Sequence, residues 1–269
     1  MTEISVEGVT FDYPDGTRAL EAVDLEIAPG QAVAIVGQNG SGKSTLVRQL
    51  NGLLRPNIGS VRLDGQDVAE RHVAELARTV GLLFQNPDRQ IFASNVRNEV
   101  AFGPRNLGRR GEQLDGAVNT ALAAVGLEGA ANSNPYDLGY SRRKLLALAS
   151  ILAMETPVVV LDEPTTGQDA RGISLIQDIV KGLKDAGRTV IAISHDMRFA
   201  AESFERIVVM RTGQVVGDGT PSEVFAEANW PSLRSTYLNP TLPAVVGARL
   251  GLGSTPTESS LIEDLGKAS

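Results

Sequence analysis

The sequence predicts an α/β protein: a parallel core sheet, an antiparallel β subdomain at the N-terminus and a helical subdomain inserted in between. Three observations carry this reading. Residues 31–36 (QAVAIV), 157–161 (PVVVL) and 189–194 (TVIAIS) are short and nearly continuously apolar, as strands covered on both faces must be. Between the last two, Ile173, Ile176, Val180 and Leu183 recur at helical spacing and Gly187 follows as a stop, so a helix crosses from one strand to the next. Residues 4–27 alternate instead: Val23, Leu25 and Ile27 are interleaved with Asp24 and Glu26, the pattern of a strand with one wet face.

The inserted part is expected over about residues 95–154, where no such strand occurs and Leu145, Leu148, Ala149 and Leu152 mark an apolar helix face. The main domain is expected over residues 1–235. Residues 236–269 form an extension, which ends in TPTESSLIEDLGKAS, too polar to build a core of its own. Trp230 is placed to anchor that extension, and His72, among charged neighbours, is read as a surface residue.

Composition narrows the function. Of 269 residues 42% are hydrophobic, enough for a substantial core, and none is cysteine, which removes structural disulfides and thiolate metal sites. The start MTEISVEGVTF has neither the basic nor the apolar region of a leader, and no run approaches the roughly 20 apolar residues of a membrane helix. A net charge of -7 speaks against a surface built to neutralise nucleic-acid phosphates, so no nucleic-acid partner is expected.

Residues 37–45 (GQNGSGKST) satisfy GxxxxGK[ST] and lie between an apolar strand and a helical pattern carrying Leu46 and Leu50. That context is what makes the motif a phosphate loop. Gly37, Gly40 and Gly42 let backbone approach an anion, and Asn39, Ser41 and Thr45 complete the cradle at a helix N-terminus that favours negative charge. Lys43 is expected on the β- and γ-phosphates and Ser44 on Mg²⁺. A valine run ends in Asp162 and Glu163, carboxylates at the exit of a buried strand, where open parallel sheets bind ligands. Asp162 is assigned to Mg²⁺ and Glu163 to polarising the attacking water. The predicted chemistry is hydrolysis of a nucleoside triphosphate.

Gln85, LGYSR at 138–142, TGQD at 166–169 and His195 follow in an order that resembles the ABC ATPases, a P-loop NTPase family with a RecA-like core, over residues 1–235. The resemblance implies ATP held between one subunit's phosphate loop and the other's signature helix, in a homo- or heterodimer. It assigns Gln85 to Mg²⁺ and to sensing a transmembrane partner, His195 to the switch histidine, Tyr13 to adenine stacking and Asp169 to the dimer seam. Gly139 and Ser141 then belong to the signature. This signature departs from LSGGQ: Gly139 stands for the serine, Tyr140 and Ser141 for the glycines and Arg142 for the glutamine. Ser141 is expected to cap a helix beginning near Arg142, and Ser141 or Arg142 to supply a compensating contact.

The segment LLFQNPDRQIFASNVRNEVAFGPRNLG at 82–108 resembles energy-coupling factor ATPases, as does, more weakly, the tail with its RLGL. This resemblance implies that Asp88 and Arg89, in the stretch from Asp88 to Phe92, face a membrane scaffold subunit instead of water. A solute-binding membrane subunit then joins through the scaffold, and the ATPase sits peripherally on the cytoplasmic face of the membrane. The tail would help to hold two ATPases together. An ordinary importer fed by a solute-binding protein, a soluble ABC ATPase and a non-hydrolysing regulatory module stay open as alternatives.

Overall fold

The computed structural model describes residues 2–268; the outermost residues of the two expected segments, Met1 and Ser269, lie outside the described residues. Strands β1 (Ile4–Asp12), β2 (Arg18–Ile27), β4 (Ile58–Leu63) and β5 (Gln66–Asp67) form an antiparallel sheet in the order β2-β1-β4-β5. In β2 the alternation is as expected: Val23, Leu25 and Ile27 are buried while Asp24 and Glu26 face solvent.

A second sheet runs β10-β9-β3-β8-β7-β6, built from β3 (Ala32–Val36), β6 (Val80–Leu83), β7 (Val158–Asp162), β8 (Thr189–Ser194), β9 (Arg206–Arg211) and β10 (Gln214–Gly219). All neighbours in it are parallel except β10, which returns antiparallel to β9. Both faces of the strands are covered. Ala32, Ala34, Val159, Leu161, Val190 and Ala192 point into one apolar cluster, and Val33, Ile35, Val158, Val160, Ile191 and Ile193 into another on the opposite face. This is the two-residue period of a strand read twice, and it explains why the sequence there runs apolar without interruption.

One cluster is closed by the antiparallel sheet and by α1 (Lys43–Leu50), through Leu46, Val47 and Leu50. Short α2 (Val73–Leu76) adds Leu76 to it. The other is closed by α3 (Val96–Asn106), α4 (Gly111–Ala124), α5 (Tyr140–Leu152), α6 (Ala170–Asp185) and α7 (Met197–Ser203). The crossover α6 buries Ile176, Val180 and Leu183, and Gly187 after it adopts φ 72, where a side chain would be strained. Helix α5 differs from its expected single apolar face: every residue from Lys144 to Ile151 is buried. A helix covered all round must be packed by other elements on every side. Here α3 and α4 lie on one flank and the parallel sheet on the other.

The C-terminal segment adds α8 (Pro221–Val224), α9 (Trp230–Arg234), α10 (Leu242–Arg249) and α11 (Glu258–Ala268). It is docked on the domain. Leu238 and Ala244 enter the same cluster as α5, and Arg198 on α7 pairs with Glu258 at 3.2 Å. Trp230 donates its indole N–H to the Phe225 carbonyl at 2.8 Å and carries Arg234 over its ring. Among the described residues no helix is long and apolar enough to cross a membrane.

Core packing sets a mutational expectation. Ile176→Ala removes a side chain that is 1% exposed and should cost about 2–5 kcal/mol of unfolding free energy, whereas Ile58→Ala, at 65% exposure, should stay within about 0.5 kcal/mol. Urea denaturation of the two variants checks both values.

Candidate active site

Four adjacent parallel strands release their chains at one edge, and each release point carries a predicted functional residue. β3 runs into the phosphate loop at Gly37, β8 into His195, β7 into Asp162 and Glu163, and β6 into Gln85 two residues on. The register Asp162↔Ile193 and Val36↔Ser194 holds the three central exits level. A cleft of about 480 Å³ opens there, lined by Tyr13, Asn39, Gly40, Ser41, Gly42, Lys43, Ser44, Thr45, Gln85, Asp162 and Glu163.

Two of the loop glycines are required by space. A Cβ on Gly37 would lie 2.3 Å from the Met210 carbonyl oxygen, and Gly42, the N-cap of α1 at φ 100, would meet the Ala19 carbonyl oxygen at 2.5 Å. The loop is thus a bare-backbone cradle at a helix N-terminus, a geometry suited to phosphate. Lys43 is buried beneath it, donating from Nζ to the Gly37 and Gln38 carbonyls at 2.8 Å each and to Ser41 Oγ at 3.3 Å. Burial pushes the ammonium's pKa down, opposed by the Glu163 and Asp162 carboxylates.

Asp162 is also buried, which pushes its carboxyl pKa up, while the hydroxyl of Ser44 at 3.4 Å and the charge of Arg48 work the other way. A buried carboxylate and a hydroxyl, side by side at the foot of the cleft, form a set of hard oxygen donors that fits Mg²⁺. Tyr13 offers a half-buried ring held edge-on to Phe11, and its hydroxyl shares a 2.9 Å hydrogen bond with Thr45. Asp169 caps α6, accepting from the Gly172 amide at 2.8 Å.

Glu163 is held from several directions. Its Oε2 accepts from His195 Nδ1 at 2.7 Å and from Thr166 Oγ1 at 3.5 Å; its amide donates to Ile193 at 2.9 Å. Its backbone sits at φ 52, a left-handed conformation that costs a non-glycine residue about 1–2 kcal/mol. The Glu163 side chain is 6% exposed and that of His195 is 60% exposed, so the histidine is the partner free to move.

One expectation needs correction. Helix α5 begins at Tyr140 with Gly139 as its N-cap, so Ser141 lies inside the first turn and caps nothing. Its hydroxyl instead donates to Gln168 Oε1 at 2.7 Å, and Gln168 Nε2 returns a bond to the Ser141 carbonyl at 3.1 Å. The neighbouring Tyr140 ring covers Gly167, where a Cβ would lie 2.7 Å away, so the same turn also packs on residues 166–169. Beside this helix start, Asp88 pairs with Arg143 on α5 at 3.0 Å.

The sequence reading gave no contact to Gln90, which is half-buried, or to the buried Glu99 and Lys144. Gln90 accepts from the Phe84 amide and donates to the Ala147 carbonyl at 2.9 Å and to Ser150 Oγ at 3.1 Å, which binds the segment after Gln85 to α5. Glu99 accepts the Phe92 and Ala93 amides at 3.0 and 2.7 Å. Lys144 donates to the carbonyls of Glu163 and Thr166. The one available signal was Lys144 standing at the head of the apolar run LLALASIL, and a lysine there reads equally well as a snorkelling surface residue.

The sequence model described as "ABC transporter" matches residues 20–166, more than half of the chain. The chain belongs to the ABC transporter family. This ABC ATPase is 42% identical over 226 residues to the energy-coupling factor transporter ATP-binding protein EcfA of Methanocaldococcus jannaschii, covering 83% of this chain and 81% of that protein. It is 43% identical over 241 residues to an ABC transporter ATP-binding protein of Methanosarcina acetivorans, covering 90% of this chain but spanning only 39% of that relative's length. Among solved structures it superposes on CbiO1 of Clostridium perfringens, described as part of the ABC transporter complex CbiONQ, with TM-score 0.76 and 33% identity over 92% of this chain and 98% of that one. A dimeric ATP-binding cassette in a post-hydrolysis state, bound to ADP and Pi, matches with TM-score 0.74 and 28% identity over 81% of this ABC ATPase and 98% of that chain.

Burial of Lys144, opposed by the charges of Glu163 and Asp162 facing it, brings its pKa down to about 8. The unfolded chain keeps that proton to a higher pH, so above pH 8 unfolding takes up a proton and this group adds stability as pH rises. Urea midpoints of the ATP-free protein on either side of pH 8 should show this rise, and Lys144→Met should lack it.

Proposed function

We propose that this ABC ATPase is the hydrolysing subunit of an energy-coupling factor importer, driving uptake of a vitamin or a transition-metal ion through a membrane scaffold subunit. The observation that carries the reading is the bracing between the phosphate cleft and an exposed aromatic pair. Gln85 lines the cleft, Gln90 fastens the following turn to α5, and Glu99 fixes the chain at Phe92. Phe92, 60% exposed, packs edge-on against the exposed Phe102 at 4.7 Å. An apolar pair rigidly tied to the nucleotide cleft suits a coupling helix of a scaffold. Asp88, paired with Arg143, and Arg89 beside it add charge to the groove that such a helix would occupy.

In this reading Lys43 and the loop amides bind the β- and γ-phosphates, Tyr13 takes the adenine, and Ser44, Asp162 and Gln85 hold Mg²⁺. When bound, Mg²⁺ supplies positive charge against the phosphate oxygens. Glu163 accepts a hydrogen bond from the attacking water, which directs its lone pair at the γ-phosphorus. Glu163 has a second carboxylate oxygen for this, while the exposed ring of His195 turns to the γ-phosphate and stabilises charge developing there. Gly139 and Ser141, at the N-terminus of α5, and Asp169 complete the site of a second ABC ATPase subunit across a dimer seam. ATP bridges the two subunits and hydrolysis removes the bridge, so the faces part and the grooves carry the scaffold with them. Residues 236–269 help to hold the pair together while the faces are apart, and the exposed Tyr237, Leu242, Leu250 and Ile262 are the apolar surface available for it. The assembly sits on the cytoplasmic face of the membrane.

Glu163→Gln should lower kcat by about 10²-fold or more with ATP binding retained, and Lys43→Ala should weaken ATP binding by about tenfold or more. Phosphate-release kinetics and equilibrium ATP binding test the pair. Tagged protein drawn from native membranes should bring down one scaffold protein and a solute-binding membrane subunit. Recovery of a permease pair, or of soluble partners alone, would remove the importer class proposed here.

A further inference from the structure

Three residues of α5 reach one short segment of the same subunit. Tyr140 lies over Gly167, Ser141 and Gln168 exchange hydrogen bonds, and Lys144 Nζ donates to the carbonyls of Glu163 and Thr166. These contacts join the start of α5 to the chain from Glu163 to Gln168. Lys144 is the deepest of these contacts, 1% exposed at the start of the stretch Lys144–Ile151 that is buried all round. A buried ammonium is costly unless its donors are satisfied, and here the acceptors are main-chain carbonyls. Its partners do not form a carboxylate ion pair.

Glu163 is where such a grip has an effect. Its backbone is left-handed, its amide is fixed by Ile193 on β8, and its carbonyl is taken by Lys144. With both peptide groups held, the direction in which the carboxylate leaves the main chain is set from outside the residue. We propose that Lys144 is a positioning residue for hydrolysis: by gripping the Glu163 carbonyl from the signature helix, it fixes the main chain from which the water-polarising carboxylate projects. This also gives α5 a route to the site of its own subunit, because a displacement of the helix start moves Lys144 against Glu163. The proposal rests on Glu163 being the residue that acts on the water.

The test uses the full chain with the partners it co-purifies with, as wild type, Glu163→Gln, Lys144→Met and Lys144→Arg, reading kcat, KM and equilibrium ATP affinity. Lys144→Met should lose about tenfold or more in kcat while KM and ATP affinity stay within about twofold, and Lys144→Arg, which keeps charged donors, should recover most of the loss. Unchanged kcat in Lys144→Met, a parallel fall of kcat and ATP affinity, or an arginine variant no better than methionine would overturn the proposal. If Lys144→Met does not fold, Lys144→Gln is compared with Lys144→Arg, and equal turnover of those two overturns it. Full turnover in Glu163→Gln would instead remove the role of Glu163 itself, whatever the lysine variants do.

Discussion

The parallel strands β3, β8, β7 and β6 have to be buried on both faces, and the rest of the molecule follows from that. Strands of this kind can be connected only through crossovers, so all their carboxyl ends fall on one edge. At that edge the apolar run stops and the chain has to turn. The residues at the turn are Gly37, His195, Asp162, Glu163 and Gln85, which brings groups from across some 160 residues of sequence, from Gly37 to His195, to a single cleft. The two sheets and the helices around them are the covering that keeps those exits aligned.

The cleft holds charges that folding alone would not favour. Lys43 and Asp162 are buried with their pKa values displaced toward the neutral forms, and Glu163 carries a left-handed backbone. Groups of this kind are retained where they act on a ligand, and perturbed ionisation concentrates at such sites. Carbonyls of the loop itself hold Lys43, and His195 holds Glu163, so the polar groups of the cleft are fixed by contacts with one another. Helix α5 works from the other side. Its buried middle belongs to the main core, while its first turn is fastened to residues 163–168, so the departures from LSGGQ are accommodated by side-chain contacts that glycines would not make.

Much of this was legible in the chain because short-range pattern decides it. The phosphate loop needs its glycines at fixed places, the buried strands need unbroken apolar residues, and both leave a one-dimensional trace: residues 37–45, the valines before Asp162, and the alternation around Val23. The helical insertion and α6 were readable from their spacing for the same reason. Strand β6 was harder to read, four residues being too few to show a period.

What the chain did not disclose are the partners of polar groups far apart in sequence. Ser141 reads as a helix cap until its hydroxyl is found on Gln168; the charge of Asp88 reads as facing a scaffold, with no sign of Arg143 on α5; and nothing nearby in the chain marks the Lys144 ammonium as partner of the Glu163 carbonyl. The sequence by itself determined which elements form and which residues stand at the strand exits, since propensity, periodicity and loop sterics act over a few neighbouring residues. Only the tertiary structure decided which acceptor each buried donor meets. Hydrogen bonds and ion pairs are short-ranged and directional, and the segments that supply the two halves come together only when the core closes.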